Sequence, residues 1–300
     1  MGGGRLRRWG DAAVAALVRG AFALLRALGP DRAAALGAAV ARSLGPLLPV
    51  HRVALDNIRQ AFPELPAAEH RRIAREAWDN LGRTAAEYVH LDRIWDFSLE
   101  HPNTGRIRIP PEAVARFEAL RDDGRPALIF AAHLANWELP AIAAARHGLA
   151  AAVLYRTPNN PAVARDILAL RAGSMGELIP AGIAAPIRMM EALEAGKHVG
   201  MLVDQRFGRG PRVPFLGRPA ASNPLLARMA RRFDCPVHGA RAIRLPGGGF
   251  RLELTEAIAL PRDASGRVEV EAATALLNRI VEGWVREHPG QWLWMHRRWR

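Results

Sequence analysis

Residues 126–138 read PALIFAAHLANWE: a short, almost unbroken apolar run, then a histidine, then a glutamate five positions further on. A run of that length with aromatic and β-branched members fits a strand buried on both faces, as in a parallel sheet. His133 stands where that strand runs out. On an α-helix, residues five apart point about 140° away from each other at 3.6 residues per turn, so His133 and Glu138 can meet only if the chain bends between them. A strand ending at His133, a short turn and a helix whose first turn carries Glu138 would supply the bend.

Outward from this stretch, short apolar strands alternate with helical segments: AAVLYR (151–156), ELIP (177–180), VGMLVD (199–204) and CPVHGARAIR (235–244). The alternation predicts an α/β fold with a mixed, mainly parallel central sheet flanked by helices. Asn160 before Pro161 and Asn223 before Pro224 each place an amide N-cap ahead of a proline at the first helical position. RAIRLPGGGFRLELTEAIAL (241–260) reads as a hairpin, which makes the last part of the sheet antiparallel, and residues 269–287 form a closing helix. Upstream, residues 52–91 are a helical lead-in interrupted between Pro63 and Pro66. Ligands of open α/β sheets bind beyond the carboxyl ends of strands. His133 to Glu138, Tyr155 to Asn160 and Asp204 to Arg206 all fall at such ends and are predicted to converge.

At 300 residues and 50% apolar composition the chain can bury a large core. Its net charge of +13 favours acidic partners such as phospholipid surfaces, phosphorylated substrates, nucleic acid or an acidic carrier protein. Cys235 is the only cysteine, so no intrachain disulfide can form, and its DCPVHGA setting suits a buried structural thiol. At the N-terminus, Arg5, Arg7 and Arg8 precede the apolar stretch 11–29, which Arg19 and Arg26 interrupt, and a second helical stretch follows over 31–50. A central arginine disfavours a clean bilayer span. Residues 1–50 are therefore predicted to be a membrane anchor or interfacial helices on an anionic surface, with residues 51–300 as a single α/β domain. The alternative is an alanine-rich helical hairpin packed on that domain.

A neutral imidazole takes a proton from a hydroxyl near pH 7, and a carboxylate on its other nitrogen fixes the tautomer. His133 with Glu138 supplies both parts, although a lone pair of this kind in an α/β chain is more often a structural hydrogen bond. GxSxG is absent, and Ser174 and Cys235 lie in unrelated contexts, so the nucleophile should belong to the substrate. Transfer onto an acceptor hydroxyl, with His133 as general base, follows. HExxH and CxxC are missing and His147 sits on the wrong turn, so no metal site is expected; no GxxxxGK[ST] phosphate loop occurs either. Arg171, at the end of the helix begun at Asn160, could hold an acceptor phosphate or sugar or lie solvated on the surface. Asp204, following four apolar strand residues, could face the cleft or act as a structural cap. QWLWMHRRWR (291–300) mixes tryptophan with arginine and suits either a lipid headgroup zone or a buried core with a basic tail.

HLANWE resembles the HX4(D/E) motif of the glycerolipid acyltransferase superfamily, and its context is similar to the lauroyl/myristoyl acyltransferases that place secondary acyl chains on lipid A. The resemblance continues in order through YRTPNNP (155–161), DILALR (166–171), MLVDQRFG (201–208), VPFLGRPAAS (213–222) and QWLWMHRRW (291–299), and NIRQAFPEL (57–65) resembles the family's lead-in. Ala135 replaces a glycine common in this branch, and Ser222 a threonine. The resemblance implies an acyltransferase domain at the cytoplasmic face of the bacterial inner membrane, with acyl carrier protein thioester or acyl-CoA as donor substrate and a lipid A precursor or related glycolipid as acceptor. It implies no metal and no bound cofactor. By matching positions, His133 is the base and Glu138 its orienting partner, with Arg156, Arg171, Asp204, Gln205 and Asn136 as substrate-binding candidates. A phosphatidylinositol mannoside or ornithine lipid acyltransferase would share the dyad. From other classes, a basic nucleic-acid binder lacks any recognised module, and a membrane scaffold without catalysis would tolerate loss of His133.

Overall fold

The computed structural model describes the backbone of residues 2–102, 104–158 and 160–299, with side chains from Val14 onward. The basic front of Arg5, Arg7 and Arg8 and the terminal Arg300 lie outside the described side chains. The chain opens with four helices, α1 (Gly2–Leu28), α2 (Pro30–Leu44), α3 (Val50–Ala61) and α4 (Ala67–Glu87). The break between α3 and α4 falls at the predicted Pro63 to Pro66 segment. Two glycines explain how α2 lies along α4. A Cβ on Gly37 would sit 2.3 Å from the carbonyl oxygen of Gly82, and one on Gly82 would sit 2.2 Å from that of Gly37. Backbones can approach this closely only where neither residue has a side chain.

The remaining elements alternate: β1 (Ile107–Arg108), α5 (Pro111–Asp122), β2 (Leu128–Ala131), α6 (Leu139–Arg146), β3 (Ala151–Tyr155), α7 (Pro161–Ala172), β4 (Glu177–Pro180), α8 (Ala185–Glu194) and β5 (His198–Leu202). They continue with a small hairpin, β6 (Arg212–Phe215) and β7 (Arg218–Ala221), then α9 (Leu225–Phe233), β8 (Val237–Arg244), β9 (Phe250–Leu254) and α10 (Val270–Glu287). Seven strands form one sheet in the order β1-β9-β8-β2-β5-β3-β4. Every neighbour pair in it is parallel except β8 with β9, the predicted hairpin. The mixed, mainly parallel α/β sheet is thus as the sequence predicts; β1, α5 and the β6–β7 hairpin are additions to it.

Helix starts follow the side-chain chemistry. The Asn160 amide oxygen accepts from the backbone N–H groups of Ala162 and Val163, and Pro161 occupies the first turn of α7. Asn223 accepts from Leu225 N–H, but Pro224 takes the N-cap place of α9, so the helix starts one residue later than predicted. The Glu269 carboxylate caps α10 through Glu271 and Ala272 N–H.

Alternation along the strands sorts the two sheet faces. Leu128 and Phe130 of β2 and Val199 and Met201 of β5 belong to the main core with α9 and α10. Ile129 and Ala131 on β2 and Gly200 on β5 face the other way, where a cavity separates the sheet from α5 and α6. The tail takes the core alternative rather than the headgroup zone: Trp292 and Trp294 are fully buried, and the Arg298 side chain lies with them. Cys235 is partly buried, and burial pushes its thiol up to about 11, so it stays protonated.

Among the described residues no single helix is long and apolar enough to cross a membrane, while Pro30–Leu47 and Val50–Ala61 together reach that composition across an 89° bend. The N-terminal helices expose several large apolar side chains, with Leu17 75% and Leu47 78% accessible.

Candidate active site

Register decides which side chains meet at the head of the cavity. β2 and β5 are adjacent and parallel, with Ala131 opposite Leu202. Two residues further along each strand stand His133 and Asp204. The Asp204 carboxylate accepts from the His133 ring, Nδ1 to Oδ1 2.8 Å, and from the His133 backbone N–H at 2.9 Å. The Trp292 indole N–H supplies a third bond to it at 2.8 Å. Burial alone would raise the Asp204 carboxyl, but the charge and hydrogen bonds of His133, with Trp292 behind, outweigh it and hold the group down at about 2. An ionised carboxylate on Nδ1 fixes the tautomer with the proton on that nitrogen and leaves the Nε2 lone pair free to accept. Gln205 Nε2 lies 3.2 Å from His133 Nε2.

The C-terminal segment braces this turn from behind. Leu293 N–H donates to His133 C=O, Ala135 N–H donates to Gln291 C=O, and Leu134 bridges Trp292. Ala135 has φ 47°, in the left-handed region that favours glycine. Its carbonyl oxygen accepts from both Asn80 and Thr84 of α4. The lead-in helix and the tail therefore grip the loop from two sides, and the local bend predicted between His133 and Glu138 is present.

The bend does not bring those two side chains together. Glu138 sits just before α6, buried, and its carboxylate accepts from Arg171 and from the Tyr88 hydroxyl. No His133–Glu138 hydrogen bond or ion pair occurs among the described residues; the carboxylate that meets the imidazole is that of Asp204, not the expected Glu138. The reason is register: an adjacent strand end delivers Asp204 directly to Nδ1, whereas the turn carries Glu138 toward α7. Burial, with the negative charge of Glu138, pushes the Tyr88 phenol up and keeps it protonated as a donor. The Arg171 guanidinium, although burial opposes its charge, is held more firmly protonated by Tyr88 and Glu138. It also lies over the Tyr88 and Tyr155 rings, 5.5 Å and 5.7 Å from their centroids.

Two substrate-binding expectations are corrected in the same way. Asn136 is fully buried and donates to Glu87, which Arg244 neutralises, so it holds the loop and does not face a ligand. Asp204 stands behind the imidazole, 2% exposed. Arg156, Arg171 and Gln205 do line the cavity with His133, and the three predicted polar clusters converge there. Tyr88, Trp137 and Trp292 are residues that sequence reasoning missed. Trp137 packs its ring 5.1 Å from that of His133, inside the quoted motif, and was the one open to discovery.

The cavity holds about 750 Å³ and follows the sheet from Tyr155 to Ala151 on β3 and from Leu202 to His198 on β5. Its walls beyond the imidazole are apolar or small, among them Phe117, Ala144, Leu149 and Val153. Gly200 keeps this passage open, since a Cβ there would meet only the Val153 side chain at 3.8 Å and the Ile129 carbonyl oxygen at 4.0 Å. The arrangement is an imidazole at the mouth of an apolar channel long enough for a hydrocarbon chain. Among the described residues no group of three His, Cys, Asp or Glu side chains is placed to hold a metal ion.

A search of curated proteins returns no match to the chain. The family model described as bacterial lipid A biosynthesis acyltransferase matches residues 5–300, which spans both the helical lead-in and the cavity. The chain belongs to the bacterial lipid A biosynthesis acyltransferase family and is an acyltransferase.

Proposed function

We propose that the protein moves a fatty acyl chain from an acyl carrier protein thioester to a hydroxyl of a lipid A precursor, with His133 as general base and Asp204 as the residue that positions it. The observation that carries this reading is the His133 ring, tied at Nδ1 to a buried carboxylate and lining the apolar cavity with the Gln205 amide against Nε2. Nε2 takes the proton of the acceptor hydroxyl as that oxygen attacks the thioester carbonyl carbon. Collapse of the tetrahedral adduct breaks the C–S bond, and the imidazolium returns the proton to the departing sulfur. The Gln205 amide occupies the place the acceptor hydroxyl must take and is displaced or shared when it arrives.

The donor chain lies along the sheet in the apolar passage, where each buried methylene contributes about 0.8 kcal/mol. No metal or bound cofactor is needed for these steps. The exposed leucines of α1 and α2 support contact with the cytoplasmic face of the inner membrane, where the basic N-terminal segment meets anionic lipid.

The test is acyl transfer in membranes or mixed micelles, with carrier protein loaded with chains of several lengths and a tetra- or penta-acylated precursor. Wild type should form product for a restricted range of chain lengths, and His133→Ala should lose nearly all of it. Equal product from both proteins would end this reading.

A further inference from the structure

The sequence leaves Arg171 either holding an acceptor phosphate or sugar or solvated at the surface, but Glu138 and Tyr88 already occupy that guanidinium. Most arginines around the site are likewise neutralised, as Arg244 is by Glu87 and Arg241 by Glu253 and Glu287. Arg156 and Arg206 are different. Both line the mouth of the catalytic cavity, both are exposed, and neither has a hydrogen bond or an ion pair among the described residues.

Topology places them at the same end of neighbouring strands, with Arg156 level with Val203 and Arg206 three residues further along. β3 and β5 are adjacent and parallel, with Val153 opposite Gly200. Arg156 follows the last residue of β3, and Arg206 follows Asp204 and Gln205 beyond the end of β5, where a backbone bridge to Ser222 fixes it. The two carboxylates nearest the mouth offer them nothing, because Glu138 is paired with Arg171 and Asp204 with His133. A third group points the same way. His296 lines the same cavity, and its Nδ1 is buried with no hydrogen-bond partner. Burial, aided by the positive charges of Arg298 and Arg156, pushes this imidazole down to about 4 against the pull of Asp204, so at neutral pH it is an uncharged ring able to donate one N–H.

We propose that Arg156 and Arg206, with His296 beside them, form a subsite for a phosphate group carried by one of the two substrates. The proposal rests on the acyltransferase reading. Uncompensated positive charge in a concave, low-dielectric mouth concentrates anions, and the planar guanidinium fork matches two phosphate oxygens at once. The phosphate comes either from the headgroup of the acceptor glycolipid or from the phosphopantetheine diester of the donor.

The full-length double variant Arg156→Gln/Arg206→Gln separates these sources. Neither side chain bonds to another among the described residues, so the melting temperature of the variant should match wild type. In one arm, transfer is measured with phosphorylated and dephosphorylated acceptor; in the other, with acyl carrier protein and with acyl-pantetheine, which has no phosphate. We expect KM for the phosphate-bearing substrate to rise about tenfold or more, by more than kcat falls, and the penalty to vanish once that phosphate is removed. Arg156→Lys/Arg206→Lys should recover part of the loss. A penalty in either arm, or in both, supports the subsite and names its ligand. Unchanged KM in both arms, or an equal loss with and without phosphate, overturns it. A binding readout keeps the two proposals apart: calorimetry with 4′-phosphopantetheine against pantetheine, and co-sedimentation with micelles of phosphorylated against dephosphorylated acceptor. Phosphate-selective binding that the double variant loses, in a protein that transfers no acyl group, would sink the reaction and leave the subsite standing.

Discussion

His133 and Asp204 stand at the ends of neighbouring parallel strands, and their side chains meet with Nδ1 2.8 Å from Oδ1. Because Ala131 is opposite Leu202 in the sheet, the pair is built by strand register and not by the turn that follows His133. Register is a property of the core, so the dyad is as rigid as the sheet itself.

Trp292→Phe tests how the carboxylate is held. The substitution keeps an aromatic ring in a fully buried site and removes one of three donors to Asp204, at a cost of about 1–3 kcal/mol in denaturant unfolding. Its pH dependence has a definite sign. The Asp204 carboxyl falls from an ordinary 3.8 to about 2 in the fold. Its stabilisation is therefore complete above about pH 4 and disappears as pH falls toward 2. With one donor gone the folded value moves up, and the acid unfolding midpoint should shift to higher pH than in wild type. An unchanged midpoint would show that the indole does not support the carboxylate.

Arg171→Met should destabilise the protein strongly. It leaves the Glu138 carboxylate buried beside Tyr88 without a cation, a change typically costing about 3–5 kcal/mol. The double variant Arg171→Met/Glu138→Gln removes the stranded charge and should recover much of that loss. Urea titrations of wild type, Arg171→Met, Glu138→Gln and the double variant measure the coupling, and additive losses would show that the pair is not coupled.

Ala135 sits at φ 47°, in the left-handed region where glycine carries no steric penalty. Relief of left-handed strain, about 1–2 kcal/mol, is set against the added unfolded-state freedom of glycine, about 0.5–1 kcal/mol. Ala135→Gly should thus be neutral to about 1 kcal/mol stabilising, whereas Ala135→Val should unfold at clearly lower temperature. Differential scanning calorimetry distinguishes these outcomes.

Much of this was legible in the chain. Apolar runs bounded by turn residues give five of the sheet strands and the β8–β9 hairpin, because burial on both faces demands such runs. The meeting of three polar clusters follows from placing each at a strand end. The partner of His133 was not legible, since it depends on β5 lying beside β2 with β3 beyond it, and strand order leaves no mark on local sequence. Tyr88 and Trp292 were hidden for the same reason: each reaches the site from an element more than forty residues from His133 in sequence. β1 is only two residues long, too short to leave a pattern.

Gly82→Ala probes the seat of the N-terminal helices. The new methyl would lie 2.2 Å from the Gly37 carbonyl oxygen, so α2 must move away from α4, at a cost typical of overpacking, about 1–3 kcal/mol. Limited proteolysis should then cut within α1 or α2 sooner than in wild type. Identical cleavage rates would mean that the glycine contact does not hold the helices in place.

We propose that Asp204, not Glu138, positions the catalytic imidazole through its bond to Nδ1. Single-turnover acyl transfer should be compared for wild type, Asp204→Asn and Glu138→Gln, each checked for native melting behaviour. Asp204→Asn removes the fixed negative charge and the tautomer it enforces, and should slow the chemical step by about 10²–10⁴-fold, well beyond the effect of Glu138→Gln. A transfer rate for Asp204→Asn within a few-fold of wild type, with Glu138→Gln the slower of the two, would contradict it.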